Sequence, residues 1–444
     1  MKKIVSLITV FILITALFVP TVLADAPKGL KSSSILMIDT SSSRAIYSKN
    51  STDKIAPGGF TKILTAVIVL ENISDINSIV TADANTIAAC DFSYGNMGLL
   101  ANEQMSVKNL LYGMLLYDAA EAAQVLATYT FGNYESFIEA MNNKAKELGC
   151  TKSNFTNAGG YPDDKQYSTL EDMALIAGYA MQNDTFREIT STANVEIAPT
   201  NKYTSSRHLN NTNKFVCPYV SKDYYDENAS GVKTSYNSDS DCGLITCYNI
   251  NGIEFMFLSS GSPYDGIYNY SYEDAKKLIE YAKTYYKTVK VISKEEIIDE
   301  IPVKNAKGTN RLLLVAAEDV YANLPEDYDE ELLETKCESE KTVKAPISKG
   351  DAYGVVSVFY DGELYAKSHL IASESLKKAP LKGAFMSFLG IFTSTPFKVI
   401  VLTIIILYVS FTLWVNHLKR KRRKLKRLKQ RQAEIERQND RYYY

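Results

Sequence analysis

The sequence predicts an α+β protein: an antiparallel sheet flanked by helices, then a small all-β domain and a C-terminal membrane helix. Near the N-terminus, the apolar runs "SSILMID" and "AIYS" are joined by the polar "TSSSR" and indicate a strand pair. Helical patterns occupy much of residues 57–181, and strand patterns return after residue 231. Strands on either side of a helical block are typical of α+β folds.

The segment "PGGFTKILTA", residues 57–66, begins a predicted buried helix, because Ile63, Leu64 and the apolar residues up to Leu70 leave no broad polar face. Lys62 falls in its first turn, where the helix dipole disfavours a cation and an apolar setting disfavours any charge. Two glycines stand where a side-chain cap is usual. A surface lysine beside a flexible turn is the alternative interpretation.

Three further helices are expected between residues 106 and 181. They are the Leu- and Ala-rich block "SVKNLLYGMLLYDAAEAAQVLATY", the amphipathic "NYESFIEAMNNKAKELG" ended by Gly149, and "STLEDMALIAGYAM", which opens with a capping box from Ser168 to Glu171. The strand "GVKTSY" and a hairpin about Asn251-Gly252 follow. The helix "SYEDAKKLIEYAKTYY" closes this region near Tyr286.

From Val289 the pattern changes to short strands, "VKVIS", "RLLLVAA", "GVVSVFY" and "ELYAKSHLIA", the last two about an Asp361-Gly362 turn. The acidic "LPEDYDEELLETKCESE" is expected to be a solvated loop. A small separate β domain is therefore predicted, up to about Ser375.

Both ends of the chain suggest membrane targeting. A basic "MKK", an apolar stretch and small residues at "VLA" indicate a signal peptide over residues 1–24, with an uncleaved anchor as the alternative. Residues 399–415 contain no charge and are long enough for a short membrane span, with a buried core helix as the alternative. Nine of the next residues, 419–429, are Lys or Arg, which favours a cytoplasmic tail and an exported body.

The charge distribution argues against nucleic acid as a partner. The tail from His417 carries 12 Lys/Arg and 3 Asp/Glu, a net +9, while residues 25–415 carry −13. The acidic body has no basic surplus to neutralise phosphates. The six cysteines are scattered without metal-ligand spacing, so we expect isolated core thiols, no metal and no cofactor, with one disulfide left open.

The series of segments between about Ser32 and Ser375 resembles the serine D-Ala-D-Ala carboxypeptidases, the low-molecular-mass penicillin-binding proteins. It includes "TKILTAVIVLE", "MNNKAKELGCTKSNFTNAGGY", "YSTLEDMALIAGYAM", "NNTNKF", "GVKT" and "APISKGDAYGVVSV". The resemblance implies a β-lactamase/transpeptidase-like domain. The predicted divisions are a signal peptide (1–24), a carboxypeptidase-like domain (25–287), a β domain (288–376), a linker (377–397), a transmembrane helix (398–415) and a basic cytoplasmic tail (416–444).

In that family, the serine of an S-x-x-K motif attacks the peptide carbonyl and the lysine acts as base. An S-x-N motif helps to shuttle protons, and a K-T-G strand binds the terminal carboxylate of the substrate. By the resemblance, Lys62, Lys233 and Thr234 survive as vestigial site residues. The departures are Gly59 for the nucleophile, Asp118 and Ala120 for the serine and asparagine of the second motif, and Ser235 for the glycine of the third.

No substitute nucleophile is evident in the sequence. A hydroxyl or thiol with a base in hydrogen-bond reach is needed for acyl transfer. Thr61 is two helical positions past Gly59, about 200° round the axis, and so faces away. The strings Ser230-x-x-Lys233 and Ser375-x-x-Lys378 are interpreted as accidental.

Asp118 is expected to place a carboxylate between Lys62 and Lys233, replacing a catalytic network with a structural ion pair; Glu121 is given no role. The sequence thus predicts a membrane-anchored, extracytoplasmic, non-catalytic relative that binds peptidoglycan stem peptides or scaffolds cell-wall proteins. The alternative is an active serine-type carboxypeptidase that trims the terminal D-Ala. A third hypothesis gives the basic tail a role with anionic lipid or a cytoplasmic partner, against a plain stop-transfer signal.

Overall fold

The computed structural model describes residues 26–238, 241–266, 268–379 and 394–439. The predicted signal peptide and most of the predicted linker lie outside these residues. The chain divides into two compact units. The first comprises the residues up to Glu296 with Ala316–Glu338 and Val355–His369, and the second comprises Ile297–Val315, Ser339–Gly354 and the residues from Leu370.

The first unit is built on a five-stranded antiparallel sheet in the order β2-β1-β9-β8-β7. Its strands are β1 (Ser34–Asp39), β2 (Arg44–Lys49), β7 (Ala229–Ser238), β8 (Asp241–Ile250) and β9 (Ile253–Ser262). Two short pairs lie outside it, β3 (Ile79–Thr81) with β4 (Gln104–Ser106) and β5 (Asn194–Ile197) with β6 (Arg207–Asn210). The predicted N-terminal strand pair and the Asn251-Gly252 hairpin are confirmed.

Eight helices of the described chain belong to this unit. They are α1 (Thr61–Asn72), α2 (Ala84–Ala88), α3 (Val107–Leu116), α4 (Ala120–Phe131), α5 (Tyr134–Glu147), α6 (Leu170–Ala180), α7 (Asp184–Ser191) and α8 (Tyr270–Tyr285). Side chains on β1 alternate between the two faces of the sheet. Leu36 and Ile38 pack into the core shared with α1 and its neighbours, and Ile35 and Met37 pack with α8. The sheet is therefore covered on both faces, and α1 is buried inside the larger helical layer.

The Leu- and Ala-rich block that the sequence predicts is broken into two helices. α3 ends at Leu116, α4 begins at Ala120, and Asp118 between them has a positive φ of 67°. Asp is one of the few residue types that tolerate this left-handed conformation. The break fixes where the Asp118 side chain lies.

Two local predictions are corrected. The N-cap of α6 is Thr169, whose side chain accepts from Asp172 N, so the capping box does not start at Ser168. Glu171 instead accepts from the Ser51 hydroxyl. The acidic segment expected to be a loop includes strand β14 (Leu333–Ser339), whose side chains are largely exposed. Exposure to solvent therefore did not prevent this segment from forming a strand.

The segment from Tyr286 to Ala372 consists of strands and one short 3-10 turn, Glu330–Leu332, as expected for the predicted β domain. Its strands are β10 (Tyr286–Ile292), β11 (Ile297–Lys304), β12 (Arg311–Ala316), β13 (Val320–Pro325), β14 (Leu333–Ser339), β15 (Val343–Lys344), β16 (Ala352–Tyr360) and β17 (Glu363–Ala372). Within the first unit β10 pairs antiparallel with β13, and within the second β11 pairs with β12 and β15.

The C-terminal helix, α9, runs from Thr395 to Asn439. Its Thr395–Ala433 part is long and apolar enough to cross a membrane. The helix does not stop at the predicted end of the span, residue 415, but continues through the basic segment.

The cysteines of the described chain are not joined by a disulfide. Cys150, Cys217 and Cys247 are buried thiols, as expected. Cys90 and Cys337 are not buried in the core, contrary to expectation.

Candidate active site

Lys62 is the second residue of α1 and is almost completely buried. A 3-10 turn, Gly58–Phe60, leads directly into the helix, and no side chain caps the helix start. The buried helix is therefore confirmed, and the interpretation of Lys62 as a surface lysine is wrong. A buried ammonium group must have a charged partner or strong hydrogen bonds to remain protonated.

That partner is Asp118. Asp118 Oδ1 lies 2.9 Å from Lys62 Nζ and 2.7 Å from Lys233 Nζ. The Lys62 and Lys233 side chains are 4% and 0% exposed, and the Asp118 side chain is 24% exposed. Helix α1, the α3–α4 break and strand β7 each contribute one residue of this cluster. The expected Lys–Asp–Lys ion pair is confirmed.

The cluster holds two ammonium groups and one carboxylate, so its charges do not balance. Burial raises the pKa of the Asp118 carboxyl, but the Lys233 and Lys62 ammonium groups outweigh burial and hold that pKa below its usual value of 3.8. Burial lowers the pKa of Lys233; Asp118 opposes that shift, and Lys62 adds to it. Asp118 therefore stays ionised and its charge is shared between two cations.

Position 59, where the sequence predicts that the nucleophile is lost, has no space for a side chain. A Cβ atom on Gly59 would lie 2.6 Å from the Thr234 carbonyl oxygen and 3.2 Å from Asp118 Oδ1. The first of these distances is shorter than side-chain contacts allow, and the close neighbour is backbone. Strand β7 thus packs directly against the turn before α1, an approach that requires glycine at position 59.

Two side chains of β7 fix this close approach. Gly59 N donates to Ser235 Oγ at 3.0 Å, and Ser235 Oγ donates to the Pro57 carbonyl at 3.4 Å. Asn237 Nδ2 donates to the Ala56 carbonyl at 3.2 Å. Asn237 is not predictable from the sequence, because it lies beyond the three-residue motif and no local pattern marks it.

The other motif positions, Thr234 and Ala120, form hydrogen bonds within the protein. The Thr234 hydroxyl pairs with the Thr212 hydroxyl at 2.6 Å. Ala120 has only its backbone to offer, and its N–H donates to Gly95 O. Beside the cluster, a cavity of about 40 Å³ remains, lined by Gly59, Lys62, Tyr94, Gly95, Asp118, Gly159, Gly160, Tyr161, Pro162, Tyr236 and Asn237.

Among the described residues, no hydroxyl or thiol is hydrogen-bonded to Lys62 Nζ, whose partner is Asp118. The buried Thr61 hydroxyl has no hydrogen-bond partner among the residues that the structure describes. The hydroxyl of Ser235 is near, but it is occupied by the backbone of the turn. The described residues therefore contain no nucleophile–base pair at this position.

Glu121 points away from the lysines. Its carboxylate accepts from Met97 N at 2.7 Å and Leu99 N at 3.4 Å, and so fastens the loop before α3 to the start of α4. Burial raises the pKa of this carboxyl, partly offset by the backbone N–H groups. No group of three or more His, Cys, Asp or Glu side chains in the described chain is arranged to hold a metal ion.

Comparison with known proteins places this site in a family. A family model for D-alanyl-D-alanine carboxypeptidase matches residues 21–257, and one for the C-terminal domain of penicillin-binding protein 5 matches residues 286–378. The first match spans more than half of the sequence. The chain belongs to the D-alanyl-D-alanine carboxypeptidase family, the low-molecular-mass penicillin-binding proteins.

Similarity to individual members of the family is consistent with this assignment. The chain is 25% identical to the D-alanyl-D-alanine carboxypeptidase DacF of Bacillus subtilis over 88% of this chain and 97% of that protein. It is 24% identical to DacC of Escherichia coli over 84% of this chain and 92% of the relative.

Among solved structures, penicillin-binding protein 3 of Streptococcus pneumoniae superposes with a TM-score of 0.66 at 17% identity. That match covers 79% of this chain and all of the solved one. Penicillin-binding protein 5 of Haemophilus influenzae superposes with a TM-score of 0.60 at 22% identity, covering 80% of this chain and all of the other. These two likenesses support the transpeptidase/β-lactamase-like fold.

Proposed function

We propose that this protein is a non-catalytic member of its family that is anchored in the membrane and scaffolds cell-wall proteins at the outer face. The observation that carries the proposal is the single carboxylate of Asp118 bonded to both lysines where the family has its catalytic network. Gly59 offers no nucleophile and no room for one. The assignment of Lys62, Lys233 and Thr234 as vestigial belongs to the same proposal.

Scaffolding is favoured over binding of the stem peptide in this cleft. Both ammonium groups already contact Asp118, and the Thr234 hydroxyl is hydrogen-bonded to the Thr212 hydroxyl. The remaining cavity of about 40 Å³ is far smaller than ligand pockets, which have volumes of roughly 300–1,000 Å³. A peptide with a terminal carboxylate would have to displace Asp118 and the contacts of Ser235.

The orientation in the membrane is part of the proposal. The uncharged residues 399–415 and the nine cations among residues 419–429 favour a cytoplasmic tail. The acidic body, with the site described above, then lies outside the cell. The predicted signal peptide at residues 1–24 supports the same orientation.

Covalent labelling tests the loss of catalysis. The full-length chain in detergent is incubated with fluorescent penicillin and boiled, beside an active relative of the family as positive control. We expect no covalent label, and no D-Ala release from a peptide that ends in D-Ala-D-Ala. A boil-resistant label would instead support the alternative function, an active carboxypeptidase.

A complementation experiment tests whether the lysine base is needed. Lys62→Met leaves one ammonium group, Lys233, paired with the one carboxylate, so the variant is expected to fold. If the protein acts as a scaffold, expression of Lys62→Met in a deletion strain should restore the wild-type phenotype as fully as expression of the wild-type chain does. Failure to restore it at wild-type protein levels would contradict a non-catalytic role.

A further inference from the structure

The last helix extends far beyond the apolar segment that is suited to a membrane. α9 continues without interruption to Asn439, and the sequence has no Gly or Pro after Pro396. Residues 416–439 add 24 helical residues, about 36 Å at 1.5 Å per residue. Sharp helix kinks almost always need Pro, Gly or an inserted group, so this part continues in the direction of the span.

One face of this extension carries three leucines. Leu418, Leu425 and Leu428 are spaced by seven and three residues, which assigns them to positions a, a and d of a heptad. The same register places Lys421 at d and Gln432 at a, so the stripe of leucines is interrupted by these two polar residues. Among residues 416–433, Ala433 is the only other apolar residue. Leu425 and Leu428 are 53% and 61% exposed, so nothing in the described chain covers this stripe.

The flanks of the stripe are basic. Among residues 418–433, positions e and g are occupied by Arg422, Lys424, Lys429 and Arg431. In a parallel pair of identical helices, Lys424 at g would oppose Lys429 at e of the second copy, and like charges there disfavour pairing. A helix with acidic residues at e and g would have complementary charge along the same flanks.

We propose that residues 418–433 form a docking surface for an amphipathic helix of a partner protein. The partner inserts apolar residues against the stripe of Leu418, Leu425 and Leu428 and sets acidic residues against the basic flanks. The exported body and the helical extension would then bind different partners. This inference does not depend on whether the carboxypeptidase-like site is catalytic.

The probe for the test is a synthetic helical peptide with Leu at a and d and Glu at e and g. The full-length chain is placed in nanodiscs of phosphatidylcholine, which carry no net charge, and binding is followed by fluorescence anisotropy. We expect saturable binding that weakens at least tenfold in Leu425→Gln/Leu428→Gln. Glutamine keeps helix propensity close to that of leucine, so the helix itself should persist.

Charge reversal at different heptad positions distinguishes specific docking of the peptide helix from general electrostatic attraction to the basic tail. Lys424→Glu/Lys429→Glu should also weaken peptide binding at least tenfold. Lys419→Glu/Lys426→Glu makes the same charge change at positions b, on the far side of the helix, and should weaken it less than threefold. Equal losses in these two variants would overturn the proposal, because binding would then follow net charge alone.

Two other outcomes would also overturn it. If Leu428→Cys cross-links two copies of the chain efficiently while the peptide fails to compete, the stripe belongs to a homodimer. If the peptide does not bind in phosphatidylcholine, and phosphatidylserine nanodiscs protect Leu425→Cys and Leu428→Cys from thiol labelling, the stripe lies on lipid. Circular dichroism of each variant checks that the helix content is unchanged.

Discussion

The first unit contains two buried ionic clusters of different construction. Arg207 forms a bidentate pair with Glu103, at 2.7 and 3.0 Å, and its remaining donors reach the carbonyls of Met97 and Gly98. That pair is neutral and nearly inaccessible, with side chains 6% and 0% exposed. The cluster of Lys62, Asp118 and Lys233 has two cations for one carboxylate, and its acid is partly exposed.

The difference indicates that the Arg207–Glu103 pair is suited to stabilising the fold. The Lys62–Asp118–Lys233 cluster instead resembles an altered active site. Glu103 has every contact that a buried carboxylate needs, including the Thr200 hydroxyl and Leu100 N. Asp118 instead has a left-handed backbone conformation, and a single carboxylate oxygen, Oδ1, contacts the ammonium groups of both Lys62 and Lys233. Excess charge and backbone strain are features that persist mainly at functional sites.

Glu103→Gln should have the largest effect. It leaves the Arg207 guanidinium buried without an anion, and removing one partner of a buried ion pair costs about 3–5 kcal/mol. Thermal unfolding should show a drop in melting temperature of several degrees or more. Glu188→Gln, at an exposed pair with Lys108, is the control and should change stability by less than about 0.5 kcal/mol. Equal melting temperatures for the two variants would contradict this account.

Asp118→Asn should destabilise the fold by roughly 3 kcal/mol, toward the low end of that range because the side chain is partly exposed. Asparagine keeps the shape and tolerates the left-handed backbone, so the change isolates the charge. Asp53→Asn, at an exposed position, is the control. An Asp118→Asn melting temperature equal to that of the wild type would refute the structural role of the ion pair.

The pH dependence of these two variants should differ. In Asp118→Asn, the pKa of Lys233 falls further below its usual 10.5, because the carboxylate that opposes burial is gone. Between the lowered folded pKa and 10.5 the unfolded chain binds more protons, so stability rises with pH and part of the loss is recovered. Arg207 stays protonated in proteins, so Glu103→Gln should recover nothing. Chemical denaturation from pH 7 to 10 measures both.

Gly59→Ser should destabilise by about 1–3 kcal/mol, as expected for overpacking against backbone. It should also fail to restore penicillin labelling, because Asp118 and Ala120 still replace the second motif. Gly178→Ala is the matched control: a Cβ there meets nothing within 4 Å, and Ala in a helix is about 1 kcal/mol better than Gly. A stable, penicillin-labelled Gly59→Ser protein would show that the cleft is open to catalysis.

Ser235→Ala should have the smallest effect, about 1–2 kcal/mol, because it leaves the buried Gly59 N–H without its acceptor. Ser259→Ala in β9 is the control, since that buried hydroxyl has no partner among the described residues and its loss should be neutral or slightly stabilising. A larger loss for Ser259→Ala than for Ser235→Ala would count against the closure of β7 on the turn.

Local patterns in the sequence were enough to predict much of the fold. The strand pair, the hairpin at Asn251-Gly252 and the buried helix around Lys62 follow from periodicity and turn residues, which act over a few positions. The glycine at position 59, which by the resemblance stands where the family has its nucleophile, is likewise visible in the chain itself. The errors of prediction were also local. Ser168 and Thr169 can both cap a helix, and in the structure the N-cap is Thr169.

Only the tertiary structure decided how the site is closed. Asp118 lies 56 residues from Lys62 in the sequence and reaches it through a helix break that the apolar pattern does not reveal. The close approach of β7 to Gly59, fixed by Ser235 and Asn237, depends on hydrogen bonds between residues that are 176 and 181 positions apart in the sequence. A sequence states which groups are present. Their distances, and hence whether a lysine faces a nucleophile or a carboxylate, are set by long-range packing.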